Sequence, residues 1–368
     1  MLHNRYFVCP QNNAAAVPWD PFTFPSADMG AFVESGYLAE TFRALEITAA
    51  VRGRTFYVTW NVDVLPSYGD DVIVFLMGDE WCRMPAYGER VGALFRQYGP
   101  NPTLVTAGLS MLTPLLVLQY LRAGAIGLPR RLKYAPPHAG VRSSRVRAAQ
   151  HVIPLGYGNQ PDMAVTPMRD RTVDVFFSGS ITNNAPPLLS VRRWLPSPKR
   201  AARQRMLAAA RRLDAQRRDL RIVLDRRTAY VPNGVADGDG DEKDSYSATM
   251  MKTKICLAPR GSSPDTMRLF EAMRYGCVVI ADRLPPAWFY RGAPVITVDR
   301  WTSLGAIVDD LLNDEARLVD LHRAALRYWH ERCSGAALAS YVSAVLSADG
   351  GRASHADALH GAPLSLAG

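Results

Sequence analysis

Residues 254–282, with the sequence KICLAPRGSSPDTMRLFEAMRYGCVVIAD, decide the predicted fold. The apolar run Ile255–Ala258 predicts a short strand. A polar loop leads from it into a helix, with Ser263 as the N-cap and Pro264 at the first helical position. Apolar residues at helical spacing continue to Gly276, after which a second apolar strand begins. The stretch therefore predicts a βαβ unit, and its two strands should be parallel.

The same unit has the layout of a nucleotide site. The N-terminus of its helix directs unpaired N–H groups at the crevice beyond the carboxyl end of the strand, where phosphates bind. Arg268 and Glu271 are three residues apart, so they share one face of the helix. A cation near the helix start suits a diphosphate, and a carboxylate one turn later suits the paired hydroxyls of a ribose. Neither of the common glycine-rich phosphate motifs is present, so the pattern indicates a nucleotide site of unspecified type.

Length and composition indicate two globular domains. A chain of 368 residues exceeds one ordinary domain and is long enough for two Rossmann-sized halves. The five cysteines lack C-x-x-C spacing, and Cys256 and Cys277 lie in apolar strands, where buried free thiols are expected. The first residues lack the basic and apolar regions of a signal peptide, which predicts a reducing, cytoplasmic setting.

The formal net charge of +9 is concentrated in two segments, residues 128–147 and 192–221. Neither segment carries interleaved aromatic residues or a known nucleic-acid-binding signature, so nucleic acid is not an expected partner. Two basic surfaces on an otherwise acidic chain fit phosphate-bearing substrates or an anionic membrane surface better. Most arginines of the helix predicted over residues 199–218 are expected to form only a solvated face.

The first half of the chain alternates between predicted strands and helices. Val72–Met77 is a near-continuous apolar run, as expected of a central parallel strand. Gly78, Asp79 and Glu80 follow it, so two carboxylates lie at the carboxyl end of the strand, where open α/β sheets place their chemistry. The alternative is that one of them merely caps the next helix, and the pattern favours neither interpretation.

Residues 103–128 approach the ~20 apolar residues that a membrane span needs. Polar residues interrupt the run too often for a span, so a buried or interfacial helix, or a pair of helices, is expected instead. One interpretation is that residues 103–147 dock peripherally on an anionic membrane surface at the inner membrane face, because basic residues follow the apolar run. The other is an inserted helix that packs on the N-terminal domain.

The predicted domain organisation follows from these elements. It comprises an N-terminal domain over residues 1–158 with an insert at 103–150, a linker at 159–168, a C-terminal domain over 169–348 and a disordered tail at 349–368.

Two further segments of the second half bear on the site. Ser178, Gly179 and Ser180 follow the first strand of the C-terminal domain, and a turn of small residues lets the backbone approach a ligand closely. The acidic stretch 236–244 fails as an EF-hand, and as a D-x-D metal motif it lacks the preceding apolar strand, so an exposed loop is predicted there.

Residues 254–288 resemble the C-terminal signature of the exostosin family of glycosyltransferases. The positions that match are Cys256, Leu257, Pro259, Gly261, Arg268, Leu269, Glu271, Ala272, Gly276, Cys277, Val279, Ile280, Leu284 and Pro285. Val278 stands where the family has proline, and Pro286 where it has phenylalanine. Looser similarity at residues 78–80, 95–99 and 153–158 resembles a bacterial branch related to ribitol-phosphate xylosyltransferases.

The resemblance implies an α/β protein of the GT-B fold, with two facing Rossmann-like domains, parallel sheets and an interdomain cleft. It also implies a nucleotide-sugar donor, UDP-linked in the family-weighted case, and inversion at the anomeric carbon without an obligatory metal or other cofactor. Glu271 would hold the ribose, Arg260 and Arg268 the diphosphate. The full set of implied donor-binding residues is Ser178, Gly179, Ser180, Arg260, Gly261, Ser262, Ser263, Asp265, Thr266, Arg268 and Glu271.

An inverting displacement needs a base that deprotonates the acceptor hydroxyl. Asp79 and Glu80 are the candidates, with Asp79 preferred because it is nearer the end of the strand. The expected function is transfer of a sugar to a glycan or lipid-linked acceptor in the synthesis of a surface polysaccharide. The alternatives are a GT-B nucleotide-sugar epimerase and a non-catalytic basic protein that binds glycans or phosphates.

Overall fold

The computed structural model describes most of both predicted halves. Its described ranges are 3–9, 16–23, 32–48, 51–99, 150–158, 162–181, 197–227 and 241–349, with isolated positions between 117 and 133. Most of the insert predicted at 103–150, and the predicted tail beyond residue 349, lie outside these ranges.

The N-terminal half forms a six-stranded sheet. Its strands are β1 (Arg5–Cys9), β2 (Val17–Pro18), β3 (Thr55–Thr59), β4 (Gly69–Leu76), β5 (Val91–Arg96) and β6 (Gln150–Val152). The order across the sheet is β2-β1-β3-β4-β5-β6, and every pair except β1 with β2 is parallel. The apolar run predicted as a central strand is β4, which is buried from Val72 to Leu76 as a strand covered on both faces should be.

The C-terminal half forms a five-stranded sheet that is parallel throughout. Its strands are β7 (Val173–Ser180), β8 (Ile222–Arg227), β9 (Thr253–Ala258), β10 (Val278–Asp282) and β11 (Val295–Val298). The order is β11-β10-β9-β7-β8, so the chain adds β8 on one side of β7 and then crosses to its other side for β9. The boundary between β7 and β9 is therefore a topological switch point, and ligands bind at the carboxyl end of such a point.

Helices cover the two sheets. They are α1 (Ser35–Glu46), α2 (Pro198–Gln216), α3 (Asp241–Met251), α4 (Met267–Arg274), α5 (Leu304–Leu312), α6 (Glu315–Tyr328) and α7 (Gly335–Asp349), and a π-helical turn (Trp329–Cys333) follows α6. Among the helices that the structure describes, none is both long and apolar enough to cross a membrane.

The last helix ties the two halves together. α7 belongs to the C-terminal half of the chain but packs on α1 of the N-terminal half. Two hydrogen bonds also join the halves. The Tyr37 hydroxyl donates to the carbonyl of Cys333, just before α7, at 2.9 Å, and the indole Nε1 of Trp288 donates to the Val152 carbonyl at 2.9 Å. Buried side chains of both halves form one continuous apolar cluster, so the relative position of the domains is fixed by packing as well as by the linker.

The α/β class predicted from the sequence is confirmed: the chain has two sheets, one in each half, whose strands are parallel except for the β1–β2 pair. Cys256 and Cys277 are buried free thiols, as expected. β6 ends at Val152 and β7 begins at Val173, but the exact domain boundaries and the linker at 159–168 remain predictions.

Two local predictions were wrong. The helix of the βαβ unit begins at Met267 rather than at Pro264, because the Ser263 hydroxyl donates to the Asp265 carboxylate at 3.1 Å instead of capping a helix. Residues 241–244 of the predicted acidic loop belong to α3. Tyr246 and Met250 are four residues apart and buried, and this helical apolar spacing outweighs the acidic composition of the first turn.

Replacing Gly156 by alanine is expected to lower the free energy of unfolding by about 3 kcal/mol. Gly156 has φ +72°, and a Cβ there would overlap the buried ring of Tyr37, which lies between the domains. Gly53→Ala is the matched control, because Gly53 has φ +76° but no atom within 4 Å of the added Cβ. That control should cost only about 1 kcal/mol. If urea denaturation gave the same loss of unfolding free energy for both variants, the Tyr37 ring would move away from the added Cβ without an energetic cost.

Candidate active site

Two loops leave neighbouring strands at the switch point of the C-terminal sheet. β7 ends in Ser178, Gly179 and Ser180, and β9 leads into the loop 259–266 before α4. Because β7 and β9 are paired and parallel, both loops lie at the same edge of the sheet. The structure therefore brings together the two small-residue segments that the sequence singled out.

The end of β7 is fixed by side chains from two other elements. The Ser178 hydroxyl donates to the carboxylate of Asp225, at the end of β8, over 2.7 Å. The ammonium of Lys199 in the first turn of α2 donates to the Ser180 hydroxyl at 3.1 Å, and Arg203 donates to the Ser180 carbonyl. The exit of β7 is thus held by cations rather than open to solvent.

Arg268, in the first turn of α4, reaches back to the same place. Its guanidinium carbon lies 4.7 Å from the ring centroid of Phe177, which is a cation–π contact. A Cβ on Gly179 would overlap the Arg268 guanidinium, so glycine is needed there for this close approach. The Nε and Nη1 atoms of Arg268 are buried and have no hydrogen-bond partner among the described residues. Two donors of this side chain therefore remain available for a ligand.

Arg260 occupies the start of the loop after β9. Its backbone N–H donates to the Asp282 carboxylate at 2.7 Å, and its guanidinium donates to the Ser262 carbonyl at 3.1 Å. The residue is 6% exposed, and its Nε has no hydrogen-bond partner among the described residues. The Arg203 guanidinium donates to the Arg260 carbonyl at 3.4 Å, so this loop is joined directly to α2.

Lys199, Arg203, Arg260 and Arg268 form what we call the cation cluster. Among the described residues, no carboxylate lies within ion-pair distance of any of its three arginines. Burial lowers the pKa of Lys199 to about 8, and the charge of Arg203 acts in the same direction. Burial also lowers the pKa of Arg203 to about 9, with Arg268 acting in the same direction. Burial lowers the pKa of Arg260 as well, whereas Asp282 and Asp265 act in the opposite direction on it. Four like charges gathered at one edge of a sheet favour the binding of an anion.

Hydrogen bonds to Asp265 anchor the rest of the loop 259–266. The Asp265 carboxylate accepts hydrogen bonds from the Tyr290 hydroxyl at 2.7 Å and from the Ser263 hydroxyl. Burial raises the pKa of Asp265. Asp265 and Ser263 therefore anchor the loop and do not point at a ligand, whereas the Thr266 hydroxyl is buried with no hydrogen-bond partner among the described residues.

Glu271 lies one turn beyond Arg268, as predicted, and is buried. Its Oε2 accepts from the Tyr246 hydroxyl at 2.7 Å, and its Oε1 accepts from the backbone N–H of Gly158 at 3.3 Å. Gly158 is the residue at which the sequence predicts the end of the N-terminal domain, a boundary that remains a prediction. The carboxylate is therefore held between α3 and the segment that joins the domains, and each of its oxygens keeps room for one more donor.

The two candidate bases of the N-terminal domain have different surroundings. The Asp79 carboxylate is 2% exposed, accepts from the backbone N–H and Nε of Arg83 at 2.7 and 2.8 Å, and pairs with buried Arg96 at 3.0 Å. Glu80 is exposed. The backbone N–H of Cys82 donates to the Asp79 carbonyl at 3.0 Å, which closes a turn with Glu80 at its tip.

Glu80 lies within electrostatic reach of two members of the cation cluster. Its negative charge acts on both Lys199 and Arg203 and opposes the lowering of their pKa values. The site thus has cations on the C-terminal domain and one exposed carboxylate on the N-terminal domain. In the part of the chain that the structure describes, no group of three or more His, Cys, Asp or Glu is placed to hold a metal ion.

The sequence did not single out Lys199 and Arg203, because most arginines of this helix were expected to form a solvated face. A usable signal was present, because Ser197 and Pro198 mark the helix start and the Ser197 hydroxyl accepts from the Arg200 N–H at 3.2 Å. Lys199 and Arg203 then occupy one face of the first turns after the first strand of the domain. In a parallel sheet this position is directed at the ligand crevice.

No protein-family model and no curated protein sequence matches the chain. Solved structures match it at low similarity. The GtfA/B complex matches with a TM-score of 0.37 and 9% identity over 85% of this chain and 60% of that one. TarM matches with a TM-score of 0.38 and 10% identity, over 76% of this chain and 55% of TarM. The pneumococcal O-GlcNAc transferase GtfA was solved with UDP and GlcNAc. It matches with a TM-score of 0.41 and 10% identity, over 95% of this chain and 70% of that one.

The chain thus spans 60% and 55% of the first two of these structures. TM-scores and identities this low indicate only a general likeness between this chain and those structures, and they support no inference about the activity of this chain. The resemblance to exostosin-family enzymes remains a prediction from the sequence.

Proposed function

We propose that the protein is a glycosyltransferase that moves a sugar from a nucleoside-diphosphate donor to an acceptor hydroxyl. One observation carries the proposal: four cations gather at the switch point of the C-terminal sheet, and the exposed carboxylate of Glu80 in the N-terminal half is near enough to act on the pKa values of Lys199 and Arg203. Anion-binding groups and a base on opposite walls are the two parts that such a displacement needs.

The proposed reaction inverts the anomeric carbon. Glu80 takes the proton of the acceptor hydroxyl, whose oxygen attacks the anomeric carbon from the face opposite the diphosphate. As that bond forms, the bond between the anomeric carbon and the phosphate oxygen breaks. The departing diphosphate then carries the negative charge, which the cation cluster stabilises without a requirement for a metal ion. Asp79 is left with a positioning role, because its carboxylate already holds Arg83 and Arg96.

The donor assignment follows the geometry of α4. Arg268 and Arg260 present unpartnered N–H groups to the phosphates, and Glu271 lies one turn further along for the ribose hydroxyls. The N–H groups of Gly261, Ser262 and Thr266 and the β7 exit complete the proposed donor site. We take UDP as the nucleotide and a surface polysaccharide or lipid-linked glycan as the acceptor class.

A thermal-shift screen with UDP, UDP-sugars and other nucleoside diphosphates tests the proposal. A donor that binds the folded protein raises the melting temperature in step with its concentration. The nucleotide sugar with the largest shift is then incubated with the protein, and the release of UDP and of a glycoside is measured. A non-catalytic binding protein would show the shift without turnover, and an epimerase would change the sugar without needing an acceptor.

UDP affinity is expected to fall as the pH rises through about 8. Lys199 is positive below its pKa of about 8, so deprotonation removes one cation from the site. The terminal phosphate of UDP titrates at about 6 and stays charged across this window. Titration calorimetry between about pH 7 and 9 should show the fall in the wild type, whereas Lys199→Met should bind more weakly but with a flatter profile. A profile that Lys199→Met leaves unchanged would assign the titration to another group.

Membrane contact by residues 103–147 remains a separate proposal. The described apolar positions Val117, Leu118, Leu121 and Leu128 are helical and 40–61% exposed. Sedimentation with anionic liposomes that weakens as salt is added would support contact through the basic residues that follow. Equal recovery with neutral and anionic vesicles would exclude this charge-assisted docking.

A further inference from the structure

The side-chain amide of Gln97 makes hydrogen bonds to three different segments of the chain. Gln97 directly follows β5 and is 2% exposed. Its Oε1 accepts from the backbone N–H of Gly78 at 2.9 Å, and its Nε2 donates to the Glu34 carboxylate at 3.3 Å and to the Leu155 carbonyl at 3.4 Å. One side chain thus joins the end of β4, the residue before α1 and the segment that follows β6.

These bonds fix the orientation of the amide. The amide oxygen receives an N–H and the amide nitrogen donates to a carbonyl, so the flipped orientation would set like groups against each other at both backbone contacts. Burial raises the pKa of Glu34, and the hydrogen bond from Gln97 acts in the opposite direction. A buried amide with both of its N–H groups engaged holds its partners in one arrangement.

On one side, Gln97 controls the backbone next to Glu80. The N–H of Gly78 is bonded to Gln97, and the carbonyl of Gly78 accepts from the Glu80 N–H at 3.0 Å. A Cβ at Gly78 would lie 2.9 Å from the ring of Trp60, so the backbone is closely packed there as well as hydrogen-bonded. Gln97 therefore helps to hold the turn that presents Glu80.

On the other side, Gln97 is bonded to the segment that reaches the proposed ribose site. The carbonyl of Leu155 accepts from Gln97, and three residues later the N–H of Gly158 donates to the Glu271 Oε1 at 3.3 Å. The residues between these two contacts are buried. A path of hydrogen bonds and packed backbone therefore connects Glu271 with the turn that presents Glu80.

We propose that Gln97 is a positioning residue for the transfer reaction, which places Glu80 relative to the donor site by joining the Glu80 turn to the segment that contacts Glu271. This inference rests on the proposed function. Gln97 is buried and acts through Glu80 rather than on the substrate. Its loss should displace the base without removing any group from the donor site, and a displacement of about 1 Å is enough to slow a reaction strongly.

Replacement of Gln97 by methionine keeps the length of the side chain but removes its three hydrogen bonds. With the donor that stabilises the protein most, kcat should fall about tenfold or more, whereas KM for the donor should stay within about twofold of the wild type. Asn4→Leu is the matched control. Asn4 is a buried amide at the amino end of the same parallel strands, where its Oδ1 accepts from the Arg54 N–H at 3.0 Å. This variant should lower the melting temperature but not kcat.

A second measurement reports the position of Glu80 without any turnover. Burial and the charges of Arg203 and Arg268 lower the pKa of Lys199, and the charge of Glu80 acts in the opposite direction. Lys199 should therefore titrate at about 8 in the wild type, and at a lower pH in Glu80→Gln. NMR of protein labelled with ¹³C at the lysine Cε follows this titration, and Lys199→Met identifies the signal.

The Gln97 and Asn4 variants are compared on the same scale. Gln97→Met should move the Lys199 midpoint from the wild-type value toward the value of Glu80→Gln, because the charge of Glu80 is no longer held near the cation cluster. Asn4→Leu should leave the midpoint where it is in the wild type. A variant that only loses stability has no reason to change this titration.

If Gln97→Met does not fold, two substitutions of its partner take its place. Glu34→Gln keeps an oxygen that can accept from the Gln97 Nε2, so it should retain the wild-type midpoint and most of the turnover. Glu34→Met removes that acceptor and should shift the midpoint in the direction of Glu80→Gln. Equal midpoints for the two Glu34 variants would contradict the proposal.

The outcomes separate this inference from the proposed function. A lowered kcat at unchanged KM, together with a lowered Lys199 midpoint, supports the positioning role. Stabilisation by UDP and turnover in the wild type, with a midpoint or a kcat that Gln97→Met leaves unchanged, overturns the role and leaves the donor site standing. A midpoint that depends on Gln97 in a protein that UDP does not stabilise supports the link between Gln97 and Glu80 and contradicts the proposed glycosyl transfer.

Discussion

Replacement of Arg268 by alanine is expected to weaken UDP binding about 100-fold. The Nε and Nη1 donors of Arg268 are buried and lack protein partners among the described residues, and Phe177 and Gly179 fix the guanidinium in place. Charge-assisted hydrogen bonds to a phosphate are worth about 1.5–3 kcal/mol each, so loss of two of them accounts for the expected change. Titration calorimetry with UDP on the wild type and the variant measures it.

Two further variants identify the cause of the loss. Arg268→Lys keeps the charge but not the planar fork, so it should recover only part of the affinity. Arg211→Ala removes an exposed arginine of α2, in the basic segment 192–221, and should leave UDP binding unchanged. If Arg211→Ala weakened UDP binding as much as Arg268→Ala, the net charge of the C-terminal half, rather than the geometry of the cluster, would be responsible.

Removal of Arg268 should also shift the pH at which UDP affinity declines. The charge of Arg268 contributes to the lowered pKa values of Lys199 and Arg203. Without it, Lys199 keeps its proton to higher pH, so the decline predicted at about pH 8 should move upward. If Arg268 only supports the fold, its removal should leave the pH of this decline unchanged.

Much of the fold could be predicted because its signals are local. The apolar run at β4 is long, unbroken and bounded by polar residues, and the structure buries it as a central strand. β9 and β10 also lie where the apolar runs on either side of the βαβ helix predict them. The start of α4 could not be predicted, because Ser263 has the local pattern of an N-cap but bonds Asp265 within a loop that Tyr290 holds from outside.

In the site, too, the sequence could identify residues whose signal is local, but not residues whose role depends on contacts with distant parts of the chain. Arg268 and Glu271 could be placed on one helix face from their spacing alone. Sequence reasoning could not select Lys199 and Arg203 from the many arginines around them, since the choice depends on which helix face meets β7. It also preferred Asp79 to Glu80 by distance from the strand end. Asp79 pairs with Arg96, which lies on a different strand, and this contact, which the sequence does not reveal, is our reason to propose Glu80 instead.

Glu80→Gln is expected to lower the rate of sugar transfer about 100-fold or more while leaving UDP binding intact. Glutamine has nearly the same shape as glutamate but cannot accept the proton of the acceptor hydroxyl. Glu80 is exposed at the tip of a turn, so its replacement should leave the melting temperature unchanged. The variant is tested with the donor that stabilises the protein most, by measuring turnover and UDP affinity in parallel.

Asp79→Asn should behave differently, and the contrast decides which carboxylate is the base. Asparagine cannot neutralise Arg96, which is 1% exposed, and a buried charge that loses its partner costs about 3–5 kcal/mol. We therefore expect Asp79→Asn to lower both the melting temperature and the activity, because the turn that carries Glu80 loses its anchor at Arg83. Loss of turnover in Asp79→Asn at wild-type stability, with Glu80→Gln still active, would assign the base to Asp79. Loss of turnover in Glu80→Gln at wild-type stability assigns it to Glu80, since only a residue that acts on the substrate can fail without disturbing the fold.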